Sequence, residues 1–218
     1  GFVQGCKEDG QEWGKKDYNP EIKKTARIYD VNKMICYGTS ALREAKNTSS
    51  LLKEIRKKTG YNISVISGQK EAELIARGLL HHHRFRGKML LIDVGGGSTE
   101  FSICHKKRIV FSKSVPLGAW RIQSLFLKRH PPSQITLEKT REFIRKTLSK
   151  NLSKIQHESP FEKVIGSAGT IKALLRITTP SKRLLYLKQL ESFISKVQSL
   201  PFSSLKKILK KEAERADI

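Results

Sequence analysis

Residues Met89 to Glu100, MLLIDVGGGSTE, constrain this chain more than any other stretch. The run from Met89 to Asp93 is apolar and ends on an acid, consistent with a strand buried on both faces. Three consecutive glycines then remove every Cβ from the turn, more than a hairpin requires, and Ser98 and Thr99 add hydroxyls. Glycines in series let successive backbone N–H groups point at one anion, so Gly95, Gly96, Gly97 and Ser98 read as a phosphate nest. Asp93 and Glu100 flank it, and hard carboxylate oxygens beside phosphate are how proteins hold Mg²⁺. The competing reading is a tight hairpin with incidental acids. The stretch matches neither a Walker A loop nor a Rossmann Gly-x-Gly-x-x-Gly.

Around this element the pattern predicts alternating strands and helices. Strands are expected at 34–37, 63–66, 100–104, 109–114 and 164–165. The strands at 89–93, 100–104 and 109–114 read as an antiparallel meander. Helices are expected over 20–32 (opened by Pro20), from Ala41 to Lys46 (capped by Ser40), and through Leu51, Leu52 and Ile55 to Gly60. Others start at Ser67-Gly68 and run to Leu80, span 118–127, run from a Thr136 cap to Ile155, start at Ile171, and cover 183–215 with a break at Pro201. The class is α/β, with a first lobe over 1–115 and a second over 116–218. His81 to Gly87 reads as a polar loop, and its consecutive histidines as solvated rather than metal-binding.

Three further elements carry chemistry. Gly166-Ser-Ala-Gly-Thr170 follows a short strand and opens a helix, which suits either an anion site or an ordinary turn. Arg43 falls in the first turn of the helix capped by Ser40, where the macrodipole disfavours a cation by about 0.3–1 kcal/mol. An anion docked at that helix end would account for it, as would pairing with Glu44 or Glu54. Glu71 lies in the first turn of its helix, where capping is the simpler role. A catalytic role would require it to face the glycine turn and activate a water.

Composition narrows the partners. The net charge is +23, from 43 Lys+Arg against 20 Asp+Glu, and residues 101–150 hold twelve basic residues and two acidic ones. Such a field attracts polyanions: nucleic acid, anionic membrane or a phosphate-rich substrate. Aromatic residues make up 7% and do not interleave with the basic runs, so no nucleic-acid stacking platform is present. Binding of nucleic acid by basic helices at 139–155 and 203–215 would be electrostatic and unspecific. No apolar run reaches the roughly 18–20 residues that span a bilayer. Three scattered cysteines argue against a disulfide scaffold or a Cys-x-x-Cys knuckle and fit a reducing, cytoplasmic setting.

Taken in order, these elements resemble the exopolyphosphatase / guanosine pentaphosphate phosphatase (Ppx/GppA) family. The resemblance rests on Gly38-Thr-Ser-Ala-Leu-Arg-Glu-Ala-Lys-Asn47, Val65-Ile-Ser-Gly-Gln-Lys-Glu-Ala-Glu-Leu-Ile75 and Leu91-Ile-Asp-Val-Gly-Gly-Gly-Ser-Thr-Glu100. It continues through Val115-Pro-Leu-Gly-Ala-Trp-Arg121, Ile165-Gly-Ser-Ala-Gly-Thr-Ile171 and Arg215-Ala-Asp-Ile218. It implies an actin/sugar kinase/Hsp70-like (ribonuclease H-like) fold of two α/β lobes around a phosphate cleft. It also implies Mg²⁺-dependent release of terminal phosphate from inorganic polyphosphate or guanosine pentaphosphate. Glu71 would be the general base, which overturns the capping preference, and Asp93 and Glu100 would organise Mg²⁺ or the attacking water. Arg43, the triple-glycine turn with Ser98, and the second turn at Gly166, Gly169 and Thr170 would bind substrate phosphate. The family pattern opens with an Asp-x-Gly-Ser-Asn loop and continues beyond Ile218, so the chain is expected to be incomplete at both ends. A non-catalytic polyanion- or nucleotide-sensing module and a phosphotransferase of the same superfamily are the alternatives. The oligomeric state, a homodimer included, is left open.

Overall fold

The computed structural model describes residues 20–82, 86–179 and 183–209. Cys6, His83 and the closing Arg215–Ile218 motif lie outside them. The chain divides into two compact units between Ser67 and Gly68.

In the first unit, α1 (Pro20–Ile28) precedes β1 (Cys36–Gly38), α2 (Ser40–Glu44), α3 (Thr48–Thr59) and β2 (Ile63–Val65). The two strands pair in parallel, Cys36 opposite Ile63 and Gly38 opposite Val65. Gly38 has no Cβ because Leu42 occupies that space, its Cδ1 2.5 Å from where a Cβ would lie. Gly60 ends α3 in the left-handed region at φ 78°, the conformation for which glycine is favoured. Ser40 is not the cap expected of it. Thr39 holds the cap position, and Ser40 is the first helical residue, buried, with its Oγ donating to Glu44 Oε1 at 3.0 Å.

The second unit holds α4 (Gly68–His82), β3 (Met89–Val94), β4 (Thr99–His105), β5 (Arg108–Val115), α5 (Ala119–Phe126), α6 (Gln134–Asn151) and α7 (Ser153–His157). It continues with β6 (Lys163–Ser167), α8 (Ala168–Thr178), α9 (Leu187–Val197) and α10 (Phe202–Leu209). Four strands form one sheet in the order β5-β4-β3-β6. The meander of β3, β4 and β5 is antiparallel as expected, and β6 adds in parallel to the free side of β3. Residues 115 and 116, where two lobes were expected to meet, are the last residue of β5 and the first of its link to α5, inside this unit, and β6 lies beyond them in sequence yet pairs with β3.

Strand alternation supplies a core on each face of the sheet. On one face, Met89, Leu91 and Cys104 pack with Ala76, Leu79 and Leu80 of α4. Ala72 and Ala76, one helical turn apart, are fully buried, which fits a helix lying close against the strands. This packing carries α4 through His82, beyond the loop start expected at His81. Burial pushes the Cys104 thiol up to about 11. On the other face, Phe101, Val115, Leu117 and Leu152 pack with Ile122, Phe143, Ile144 and Leu148 of α5 and α6. Fully burying a side chain such as Val115 or Ile103 contributes about 1.5–3 kcal/mol.

Two boundaries differ from expectation. Ser133, not Thr136, caps α6, its Oγ accepting the Thr136 N–H at 3.2 Å, and Leu152 divides the expected long helix into α6 and α7. The next helix begins at Ala168, three residues before Ile171. No helix among the described residues is long and apolar enough to cross a membrane. Within α4, Gly78 is exposed, and a Cβ there would meet nothing within 4 Å. Gly78→Ala is therefore expected to stabilise the second unit by about 0.5–1 kcal/mol, read as a rise in denaturant midpoint at unchanged slope.

Candidate active site

The register of the sheet sets four polar residues side by side. Asp93 of β3 lies opposite Glu100 of β4 and Ser167 of β6, and Glu100 lies opposite Ser114 of β5. Directly opposed residues share a face of the sheet. Leu91, two residues before Asp93, packs against α4, so this Ser–Glu–Asp–Ser row faces the same side. Ser102, two residues after Glu100, donates its hydroxyl to the Ala72 carbonyl at 3.4 Å, which sets the first turn of α4 beside the row. Glu71 is in that turn, close enough for its charge to act on Glu100.

Two carboxylates opposed in a sheet repel, and the row manages this with hydroxyls. Ser98 Oγ and Ser114 Oγ both donate to Glu100 Oε1 at 2.7 Å. Glu100 is only 3% exposed. Its carboxyl is pushed up first by burial and further by the charges of Glu71 and Asp93, against the two serine hydrogen bonds. Asp93 is also pushed up by burial, with the Ser167 hydrogen bond and the Lys172 ammonium drawing it back. A carboxyl raised in the folded state binds protons that the unfolded chain has released. Stability therefore falls as pH rises from the ordinary carboxylate range through the folded values. Asp93→Asn removes one of these charges, so its melting temperature should exceed that of the parent at pH 7–8 and converge with it below about pH 4. An equal difference at both pH values would contradict the coupling.

The triple-glycine turn is fixed by the segment before α5. The Gly95 amide donates to the Ser98 carbonyl at 3.0 Å, while the carbonyls of Gly95 and Gly96 accept the amides of Ala119 and Arg121, also at 3.0 Å. Arg121 Nε donates to the Gly97 carbonyl at 2.7 Å, and Thr99 Oγ1 donates to the Leu117 carbonyl. Gly118 makes this approach feasible, because a Cβ there would lie 2.0 Å from the Gly96 oxygen. The nest expected from glycines in series takes a different form. Gly95 and Gly96 are outside the left-handed region, so they supply room rather than unusual φ. The carbonyls of all three glycines are directed to α5 and its arginine. Among the described residues, the amides of Gly96, Gly97 and Ser98 donate to no backbone acceptor. The Ser98 hydroxyl, expected on substrate phosphate, is engaged by Glu100.

The second turn combines packing with strain. Gly166 closes against Ile171, whose Cγ2 lies 2.6 Å from the position of a Cβ. Ser167 caps α8 by position without a side-chain cap bond, its hydroxyl serving Asp93 instead. Ala168 is held at φ 68°, a left-handed conformation that costs an alanine about 1–2 kcal/mol. Gly169 and Thr170 are in the first turn of α8, and Thr170 lines an apolar cavity of about 550 Å³ with residues of α5, α8, α9 and α10. Arg43 belongs to the first unit, where its Nη1 donates to the Ile66 carbonyl at 3.1 Å. Asp93 and Glu100 offer paired hard oxygens to a cation. No group of three His, Cys, Asp or Glu suited to a metal occurs among the described residues. Ser114, Ser167 and Lys172 escaped sequence reasoning. The alternation of Ser112 and Ser114 along β5 was the available signal for the first of these.

This architecture is shared with solved proteins. The chain superposes on a crystal structure of an exopolyphosphatase from Cytophaga hutchinsonii with a TM-score of 0.77, at 25% identity, over 90% of this chain and 67% of that one. It has the same fold as the Aquifex aeolicus Ppx/GppA family member, with a TM-score of 0.73 at 24% identity, over 91% and 66% of the two chains. The family model for Ppx/GppA phosphatases matches residues 20–218, and the chain belongs to that family. Among its relatives, exopolyphosphatase 1 of Mycobacterium tuberculosis is 28% identical over 209 residues, 90% of this chain and 60% of that protein. The guanosine-5'-triphosphate,3'-diphosphate pyrophosphatase of Aliivibrio fischeri is 29% identical over 140 residues, 64% of this chain and 28% of that protein. The chain thus spans at most about three fifths of the length of these two relatives.

Proposed function

We propose that the protein carrying this chain hydrolyses a terminal phosphoanhydride bond of inorganic polyphosphate or of guanosine pentaphosphate, with Mg²⁺ as cofactor. The observation that carries this reading is the opposed pair Asp93 and Glu100, set at the root of the glycine turn with Glu71 beside them. Hydrolysis is favoured over bare anion binding because three carboxylates in one field are costly for a surface that only has to attract polyanions. Glu71 accepts a proton from a water molecule as its oxygen attacks the terminal phosphorus, and the bond from phosphorus to the bridging oxygen breaks in line. The free amides of the glycine turn donate to the phosphoryl oxygens. Gly166 of β6 and Gly169 and Thr170 in the first turn of α8 are further phosphate ligands of the second unit in this reading, and Arg43 is by itself a phosphate-binding residue of the first.

The donor set fits Mg²⁺, which takes one or two carboxylates and completes its shell with water and substrate phosphate. Asp93 and Glu100 would hold it, and it would supply charge neutralisation on the phosphates. The names of the relatives from Mycobacterium tuberculosis and Aliivibrio fischeri support the two substrate classes.

The test is phosphate release by the full natural protein, with Mg²⁺ and with no nucleotide donor or acceptor alcohol. Release from either substrate supports hydrolysis. Tight binding without release would make the protein a sensor of the same fold, and dependence on ATP and an alcohol would make it a phosphotransferase.

A further inference from the structure

The serine of β5 has no part in the mechanism above, yet it touches the most buried carboxylate of the site. We propose that Ser114 is a positioning residue for Glu100, clamping Oε1 jointly with Ser98 so that Oε2 is the oxygen presented to the reaction.

The two hydroxyls reach the same oxygen at the same distance, 2.7 Å, from different directions: Ser98 from within β4's own approach and Ser114 from the neighbouring strand. Among the described residues, Oε2 accepts no such bond. A carboxylate held by one donor can still swing about its terminal torsion, which is broad and roughly two-fold. Two donors on one oxygen remove that freedom and make the two oxygens inequivalent. Serine is also an unremarkable strand former, lacking the branched or aromatic bulk that packs well on a sheet. Ser112, two residues earlier on the same face, bonds the Ser102 hydroxyl at 2.9 Å and not the carboxylates, so it serves as a matched comparison.

This inference rests on the hydrolase reading for its kinetic arm and on geometry alone for its spectroscopic arm. In the full natural protein, Ser114→Ala should lower kcat for phosphate release roughly tenfold, with KM within about twofold, since a hydrogen bond to a charged group is lost. Ser114→Thr, which keeps the hydroxyl, should recover most of the rate, and Ser112→Ala should leave kcat unchanged. The infrared difference spectrum of Ser114→Ala against the parent should show a carboxylate stretch moved to higher frequency, absent in Ser112→Ala. An unchanged kcat, an equal loss in Ser112→Ala or no recovery with threonine would overturn the positioning role. If the parent releases no phosphate from either substrate, the hydrolase reading fails. The infrared band then still decides, its absence overturning the clamp.

Discussion

Glu71→Gln is expected to slow phosphate release by about 10²- to 10⁴-fold while leaving substrate binding nearly intact, the range associated with loss of a general base. Glutamine preserves the shape of the side chain and removes its charge and its capacity to take a proton. The first turn of α4 is anchored by the Ser102 bond to the Ala72 carbonyl and by the buried Ala72 and Ala76, so the substitution should not displace it. The same change removes one of the charges that raise Glu100, so the Glu100 carboxyl should fall toward its ordinary range. Single-turnover phosphate release, measured alongside equilibrium binding of the same substrate, separates the two effects. Equal loss of binding and rate would remove Glu71 from the role of base.

Gly118→Ala should be the most damaging small substitution in the second unit. Its added Cβ would lie 2.0 Å from the Gly96 oxygen and 2.2 Å from the Gly96 carbonyl carbon, where real Cβ atoms essentially never come under 3.0 Å. The obstacle is backbone, so no rotamer relieves it. Either the glycine turn or the start of α5 must move, and both movements break the Ala119–Gly95 and Arg121–Gly96 hydrogen bonds. A loss of about 3 kcal/mol or more is expected, read as a fall of roughly 6–12 °C in melting temperature together with loss of phosphate release. A melting temperature within about 2 °C of the parent would show that the contact yields. Gly78→Ala, the opposite case in α4, gives the internal standard.

Much of this was legible because it is local. The apolar run ending at Asp93, the glycine turn and the alternation after Glu100 specify strand, turn and strand within a dozen residues. Gly60 and Gly118 marked a helix end and a helix start through properties of glycine itself. The family assignment followed from the order of such short elements. What escaped depends on pairing between distant segments. Ser114 and Ser167 are ordinary serines until register brings them beside Glu100 and Asp93 from strands 14 and 74 residues away. Lys172 reaches Asp93 only because β6 joins β3. The Ser40 cap failed for a related reason. Ser40 was the expected cap, but Thr39 holds that position, and the Ser40 hydroxyl bonds to Glu44 instead of an amide at the helix start. The glycine nest was read from backbone freedom, whereas the segment at Gly118 made closeness the requirement.

The Ser–Glu–Asp–Ser row also bears on how the chain finds its native pairing. A slip of β3 against β4 by a single residue would turn Asp93 to the opposite side, among Phe101, Val115 and Leu117, away from the Ser167 hydroxyl and the Lys172 ammonium that serve it. Burying an ionised carboxylate there would cost several kcal/mol. The mispaired sheet is thereby penalised before any substrate is met. The residues that strain the folded state at neutral pH thus act as proofreaders during its assembly, rejecting the wrong alignment more strongly than the apolar positions around them could alone.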